Sequence, residues 1–233
     1  MRSAESVNSK KLLVDPNRIR DFQSQILRWH RHNKRDLPWR QTSDPYLILI
    51  SEFFLQRTQS KQVIPIFGVF IRKYPTIKRL AKEDSRNIRK YMKPLGLAKK
   101  VKYISAIAKR IIKEHDGDIP NDYAKLVALP GIGIYTASAI LCFGFGEQRP
   151  IVDRNVARLI NRVFGLKCKI ERAHTNKKLW ELMMAFLPKG RAKEFNQALL
   201  DLEDSICKPK SPMCHACPLS NICSHSWKMQ PHH

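Results

Sequence analysis

No apolar run in this chain approaches the roughly 18 to 20 residues that a helix needs to cross a bilayer. The first dozen residues are polar and lack the apolar stretch of a secretory signal. Both absences point to a cytoplasmic protein, so the six cysteines are not expected to form disulfides. There is no convincing strand pattern, internal repeat or low-complexity segment. Acidic residues are scarce as well: 20 Asp and Glu stand against 43 Lys and Arg, a formal charge of +23. Such a charge favours a polyanionic partner. Nucleic acid ranks ahead of a membrane surface, because no lipid-anchoring motif or basic amphipathic anchor is present. Solubility is the competing explanation, but acidic residues serve it better.

What is present is helical periodicity, which predicts an all-α fold. Ile19 to Arg31 reads as one helix with Phe22, Ile26 and Trp29 inward, and Asp36 to Arg40 as a loop. Helices follow over Tyr46 to Arg57, Val63 to Tyr74, Ile77 to Ala81, Ser85 to Met92 and Lys99 to Glu114. After a hairpin come Asn155 to Phe164, Thr175 to Phe186 and Ala192 to Ser205. Residues 1–14 read as a flexible tail. A chain of 233 residues can bury a real core in one or two lobes.

The hairpin is Leu129-Pro-Gly-Ile-Gly-Ile-Tyr-Thr-Ala137. Asp122 to Leu129 has helical spacing, and Pro130 ends it by disfavouring the helical region in the residue before it. Gly131 and Gly133 can take positive φ and let a ligand approach bare backbone. A second helix starts near Ile134, and its first N–H groups point at an anion. Such a pair of helices grips a phosphate without reading bases, although glycine also punctuates ordinary helix ends.

Twenty positions beyond Gly133 stands Asp153, at the start of a helix whose Val156, Leu159, Ile160 and Val163 share one face. The helix dipole favours its ionised form. It can serve as an N-cap, or as a carboxylate that stabilises an oxocarbenium-like C1′ and directs a water to it. Capping and chemistry need not exclude each other. Cys207, Cys214, Cys217 and Cys223 follow a C-x6-C-x2-C-x5-C spacing within 17 residues, which suits one metal centre. Spacing alone leaves zinc and an iron–sulfur cluster both open.

Leu-Pro-Gly-x-Gly, Thr136-Ala137 and Asp153 together resemble the signature of the helix-hairpin-helix DNA glycosylases of the endonuclease III superfamily. The likeness runs from about Leu37 to Cys223. It implies a base excision repair enzyme, cytoplasmic and nucleoid-associated, acting as a monomer on double-stranded DNA with a mismatched or damaged base. It implies a six-helix lobe over residues 44–150, holding the hairpin at 122–143. Residues 15–43 and 151–226 would form an iron–sulfur lobe, with Asp153 at the mouth of a DNA-binding cleft. The cysteine ladder is similar to the [4Fe–4S] loop of that superfamily. The cluster would fix a loop whose Lys208 and Lys210 meet a phosphate. Cys142 is assigned to the core and Cys168 to a free thiol.

The resemblance also narrows the chemistry. Bifunctional members carry a lysine two residues after the second hairpin glycine, which attacks C1′ and forms a Schiff base. That position is Tyr135, and a phenol cannot form an imine. A monofunctional enzyme is therefore expected, in which water attacks and an abasic site remains. Tyrosine here is similar to the G·T-mismatch thymine glycosylases, whereas adenine glycosylases carry serine. Gly96-Leu97-Ala98 likewise departs from the Gly-Tyr-Tyr of the adenine branch.

Ser51-Glu52-Phe-Phe-Leu-Gln-Arg-Thr-Gln59 resembles both branches. In the adenine branch the matching glutamate protonates the base. Thymine or uracil can leave as an N1 anion, so Glu52 is expected to hold N3–H or order the water. Gln56 and Arg57, on the same helix end, would fill the space left by the flipped nucleotide, with Arg57 facing a guanine. Trp39 and Asp44-Pro-Tyr46 are expected as structural anchors. The chain stops about ten residues after Cys223, leaving no room for the 8-oxoguanine-recognising domain usual in adenine glycosylases. An adenine glycosylase without that domain is the second reading, and a non-catalytic iron–sulfur DNA-binding protein the third.

Overall fold

The structure is a computed structural model that describes residues 14–229. The described residues form α-helices joined by short turns, with no strand among them. In chain order they are α1 (Pro16–Asn33), α2 (Pro45–Phe54), α3 (Ser60–Lys73), α4 (Ile77–Ala81), α5 (Ser85–Met92) and α6 (Val101–Glu114). Then come α7 (Tyr123–Ala128), α8 (Ile134–Ala139), α9 (Arg154–Phe164), α10 (Lys177–Phe186), α11 (Ala192–Ser205) and α12 (Ser224–Met229). Residues 1–13 of the expected tail lie outside the described residues, while Val14 is buried.

Aspartate caps decide where several helices begin. Asp15, Asp44, Asp84, Asp122 and Asp153 each accept a backbone N–H from the first turn. Asp15 and Asp44 are each followed by proline, whose missing N–H costs nothing at a first helical position. For this reason α1 starts at Pro16, three residues before its apolar periodicity becomes visible. The expected loop over Asp36 to Arg40 closes into a 3-10 turn at Pro38–Arg40, with Trp39 buried. The short helix α12 was not expected; it packs on α9.

One sequence expectation fails at a place that matters. The helix expected over Tyr46 to Arg57 stops at Phe54. Arg57 turns to φ 64°, and the Thr58 hydroxyl donates to Leu95 O at 3.2 Å, which pulls the chain away from the helix axis.

Two aromatic nuclei organise the core. Phe22, Phe164, Phe186 and Phe195 join α1, α9, α10 and α11. Phe54, Phe70, Tyr74 and Tyr91 join α2, α3 and α5. The edge-to-face pairs among them add about 0.5–1.5 kcal/mol each beyond burial. Cys142 lies in the buried π-helical turn Ile140–Gly144 that extends α8.

A buried ionic knot ties α11 to the chain after α1. Asp201, 1 % exposed, accepts from Arg40 at 2.7 and 2.8 Å, from Arg35, and meets His30 Nε2 at 3.1 Å. These hydrogen bonds and the Arg40 charge overcome burial and hold the Asp201 carboxyl well below the usual carboxylate range. The knot fixes Arg40 at the edge of the cleft described next.

Candidate active site

The hairpin is present between α7 and α8. Gly131 takes φ 80°, and a Cβ there would sit 3.3 Å from the Tyr103 side chain. Gly133 behaves differently from the expectation of positive φ. At φ −98° and ψ −179° it is extended, a conformation open to any residue. What distinguishes it is space: a Cβ on Gly133 would meet nothing within 4 Å. Gly133 is also the exposed N-cap of α8, with no side chain capping the helix, so its backbone is left bare.

Asp153 is placed by α9 and by the segment before it. Asn196 on α11 accepts from Ile151 N at 3.0 Å and donates to Arg149 O at 2.8 Å, fixing the extended lead-in. Asp153 Oδ1 then accepts from Asn155 N at 3.0 Å and Val156 N at 2.7 Å. Oδ2 takes neither bond. The cap and a place in the wall of the cleft therefore coincide in one residue. Burial pushes its pKa up, opposed by the two N–H donors and by Arg158. The helix dipole favours the ionised form, whereas burial, which no local pattern encodes, opposes it.

A cleft of about 570 Å³ brings Glu52, Tyr135 and Asp153 together from α2, α8 and the start of α9. Glu52 is 6 % exposed, and burial pushes its carboxyl up to about 7, with Arg40 opposing and Asp153 reinforcing. Burial, with the nearby charges of Glu52 and Asp153, raises the Tyr135 phenol well above its ordinary value, so it stays neutral. The same wall holds residues that sequence reasoning missed: Arg40, Gln197 and Glu203. Burial and the Asp153 charge push Glu203 up to about 8, opposed by Arg158 at 3.6 Å.

The turn after α2 leaves Gln56 and Arg57 off the helix end where they were expected. Gln56 accepts from Lys100 Nζ, and Arg57 is exposed at the tip in the left-handed region. Such strain in a non-glycine residue persists only where surrounding contacts hold it; here the Thr58 and Gln56 bonds do so. Lys208 and Lys210 are exposed on the loop after α11. Arg162 on α9 donates to Lys208 O at 2.7 Å and Pro209 O at 2.9 Å, so the helix that presents Asp153 also sets this loop.

Cys207, Cys214, Cys217 and Cys223 line one small cavity beneath that loop, with Leu159 and Leu202. Burial and the neighbouring thiols push Cys217 up to about 12, and Cys214 rises for the same reasons. Thiolates gathered there repel one another unless a cationic centre joins them. Among the described residues no three His, Cys, Asp or Glu side chains close on a single metal ion. Arg162 Nη1 stands 3.5 Å from Cys207 Sγ, a cation beside the donor set. Cys168 is a partly exposed free thiol.

A glycine hairpin with open backbone at Gly133, beside a cleft lined by Glu52, Asp153 and Glu203, defines a helix-hairpin-helix protein. The family profile of the HhH-GPD superfamily base excision DNA repair proteins matches residues 50–184, and the chain belongs to that family. It is 38 % identical over 216 residues to a thymine-DNA glycosylase of Aeropyrum pernix, covering 91 % of this chain and 97 % of that one. A thymine/uracil-DNA glycosylase of Pyrobaculum aerophilum is 38 % identical over 212 residues, covering 89 % and 91 %. The solved structure of a thermostable thymine-DNA glycosylase superposes with a TM-score of 0.85 at 36 % identity, covering 91 % of this chain and 98 % of that one.

Proposed function

We propose that this protein is a monofunctional DNA glycosylase that releases thymine or uracil mispaired with guanine in double-stranded DNA. The observation that carries the reading is Tyr135, a neutral phenol in one cleft with Glu52 and Asp153, at the hairpin position where a bifunctional enzyme needs an amine. The relatives named above support the choice of base.

In this mechanism the backbone at Gly131 and Gly133 holds a phosphate, and Lys208 and Lys210 hold the strand further along. Arg57 and Gln56 enter the space left by the flipped nucleotide. Flipping costs a few kcal/mol and less at a mismatch, so weak pairing itself contributes to selectivity. Asp153, through the carboxylate oxygen free of the cap bonds, stabilises positive charge developing at C1′. The C1′–N1 bond breaks, its electron pair stays on N1 of the base, and water adds to C1′. Glu52, at the buried wall beside Arg40, accepts N3–H of the base. Residues 44–150 act as the hairpin lobe, and 15–43 with 151–226 as the other.

Cys207, Cys214, Cys217 and Cys223 fit a [4Fe–4S] cluster: four soft donors of one type line one cavity. Bound there, such a cluster would cross-link the four cysteines and so fix the loop that carries Lys208 and Lys210. Purified protein is expected to be brown and to contain iron; zinc in place of iron would overturn the assignment.

The test of function is a duplex panel carrying G·T, G·U, A·8-oxoguanine and A·G, with alkali revealing abasic sites. Cleavage of the G·T and G·U strands only after alkali is expected. Release confined to adenine would transfer the protein to the adenine branch, and no release from any duplex would remove the enzymatic reading.

A further inference from the structure

Building on the glycosylase reading, we propose that Glu203 is a further catalytic carboxylate, the acceptor of the proton from the water that attacks C1′. The geometry supplies the argument. Glu203 projects from α11 into the cleft that holds Asp153 and Tyr135, and its side chain is 12 % exposed.

Asp153 is poorly suited to be the base. Its Oδ1 is committed to two backbone N–H groups, whose hydrogen bonds favour the charged form and oppose the rise that burial gives its pKa. Its charge serves the developing cation at C1′. Glu52 is already engaged with N3–H of the base, and the Arg40 charge opposes the rise that burial gives its carboxyl. Glu203 has no such pair of donors, and the cation paired with it, Arg158, lies at 3.6 Å. Arg158 also donates to Asn155 Oδ1 at 2.6 Å and Cys207 O at 2.9 Å. Protonating Glu203 therefore leaves both Arg158 Nη atoms with an acceptor, so the guanidinium does not depend on an ionised Glu203 to stay in place.

The step balances. Water oxygen bonds to C1′ as the C1′–N1 bond breaks, the bonding pair departs on the base, and the water proton moves to the Glu203 carboxylate. The charged groups acting on Glu203 are Asp153 and Arg158 from α9, Asp204 from α11, and Arg35 from the segment after α1. Tyr135 on α8 also senses its charge. A general base must be ionised, so the chemical step should accelerate as pH rises through a limb near 8.

Glu203→Gln keeps the shape and an acceptor for Arg158 but removes the base. The experiment measures single-turnover uracil release from a G·U duplex as a function of pH, with duplex affinity and melting temperature alongside. The variant should lose about 10²-fold in rate and lose the pH limb, with affinity and melting temperature unchanged. Glu203→Asp should retain a weakened limb. A wild-type rate and profile in Glu203→Gln would overturn the inference. So would a variant that melts earlier and binds duplex more weakly while keeping the limb, because Glu203 would then be structural. A wild type inert on every duplex would instead remove the glycosylase reading, and the inference with it.

Discussion

Asp153→Asn is expected to abolish base release while leaving the fold and duplex binding intact. The separation is possible because Asp153 has two duties that chemistry can divide. Asparagine is as good an N-cap as aspartate, so the bonds from Asn155 N and Val156 N survive with little change in stability. What disappears is the negative charge facing C1′. Removing one preorganised electrostatic contact of this kind typically costs about 10²–10³ in rate, and a full charge opposite a developing cation should cost at least that. Duplex affinity should hold or improve slightly, since a carboxylate is lost near phosphates. Asp153→Ala gives the contrast: it loses the same chemistry and also the cap, about 1 kcal/mol, seen as a lower melting temperature. Single-turnover release, melting and duplex titration together check the division. Unimpaired turnover in Asp153→Asn would take Asp153 out of the mechanism.

Asp153 was legible in the sequence because its placement is local: a cap, a helix of fixed period, and a hairpin twenty residues upstream. The helices were legible for the same reason. What failed to show was set by distant contacts. Arg57 leaves the α2 axis because Thr58 donates to Leu95 O, 37 residues away, and no periodicity encodes that. Gly133 invited a positive φ, yet the turn needs only one such residue, Gly131, and uses the other for open backbone. The clearest case is Asp201-Leu-Glu203-Asp204. In the fold Asp201 is buried under three basic side chains, Glu203 reaches the cleft and Asp204 is exposed. Only the packing of α11 against α1 and α9 assigns them.

Tyr135→Lys should change the kind of product. The side chain at this position emerges from the first turn of α8 into the cleft with Asp153, where C1′ of a flipped nucleotide would lie. A lysine there places an amine within reach of that carbon, and its nucleophilic form is the neutral one. Burial, which holds the Tyr135 phenol neutral, favours the neutral amine too, while Glu52, Asp153 and Glu203 favour the ammonium. Activity should therefore appear on the alkaline side and fall as pH drops. In the variant, nitrogen bonds to C1′ as the base departs, the sugar ring opens to an imine, and β-elimination expels the 3′ phosphate. The strand is then nicked without alkali, and borohydride reduces the imine to a stable protein–DNA adduct. Wild-type protein should give no adduct at any pH, because a phenol has no nitrogen to form one. An adduct in the wild type would mean that another amine reaches C1′, and the monofunctional assignment would fall. Absence of adduct in Tyr135→Lys, with base release retained, would mean that the side chain at this position does not reach the reacting carbon.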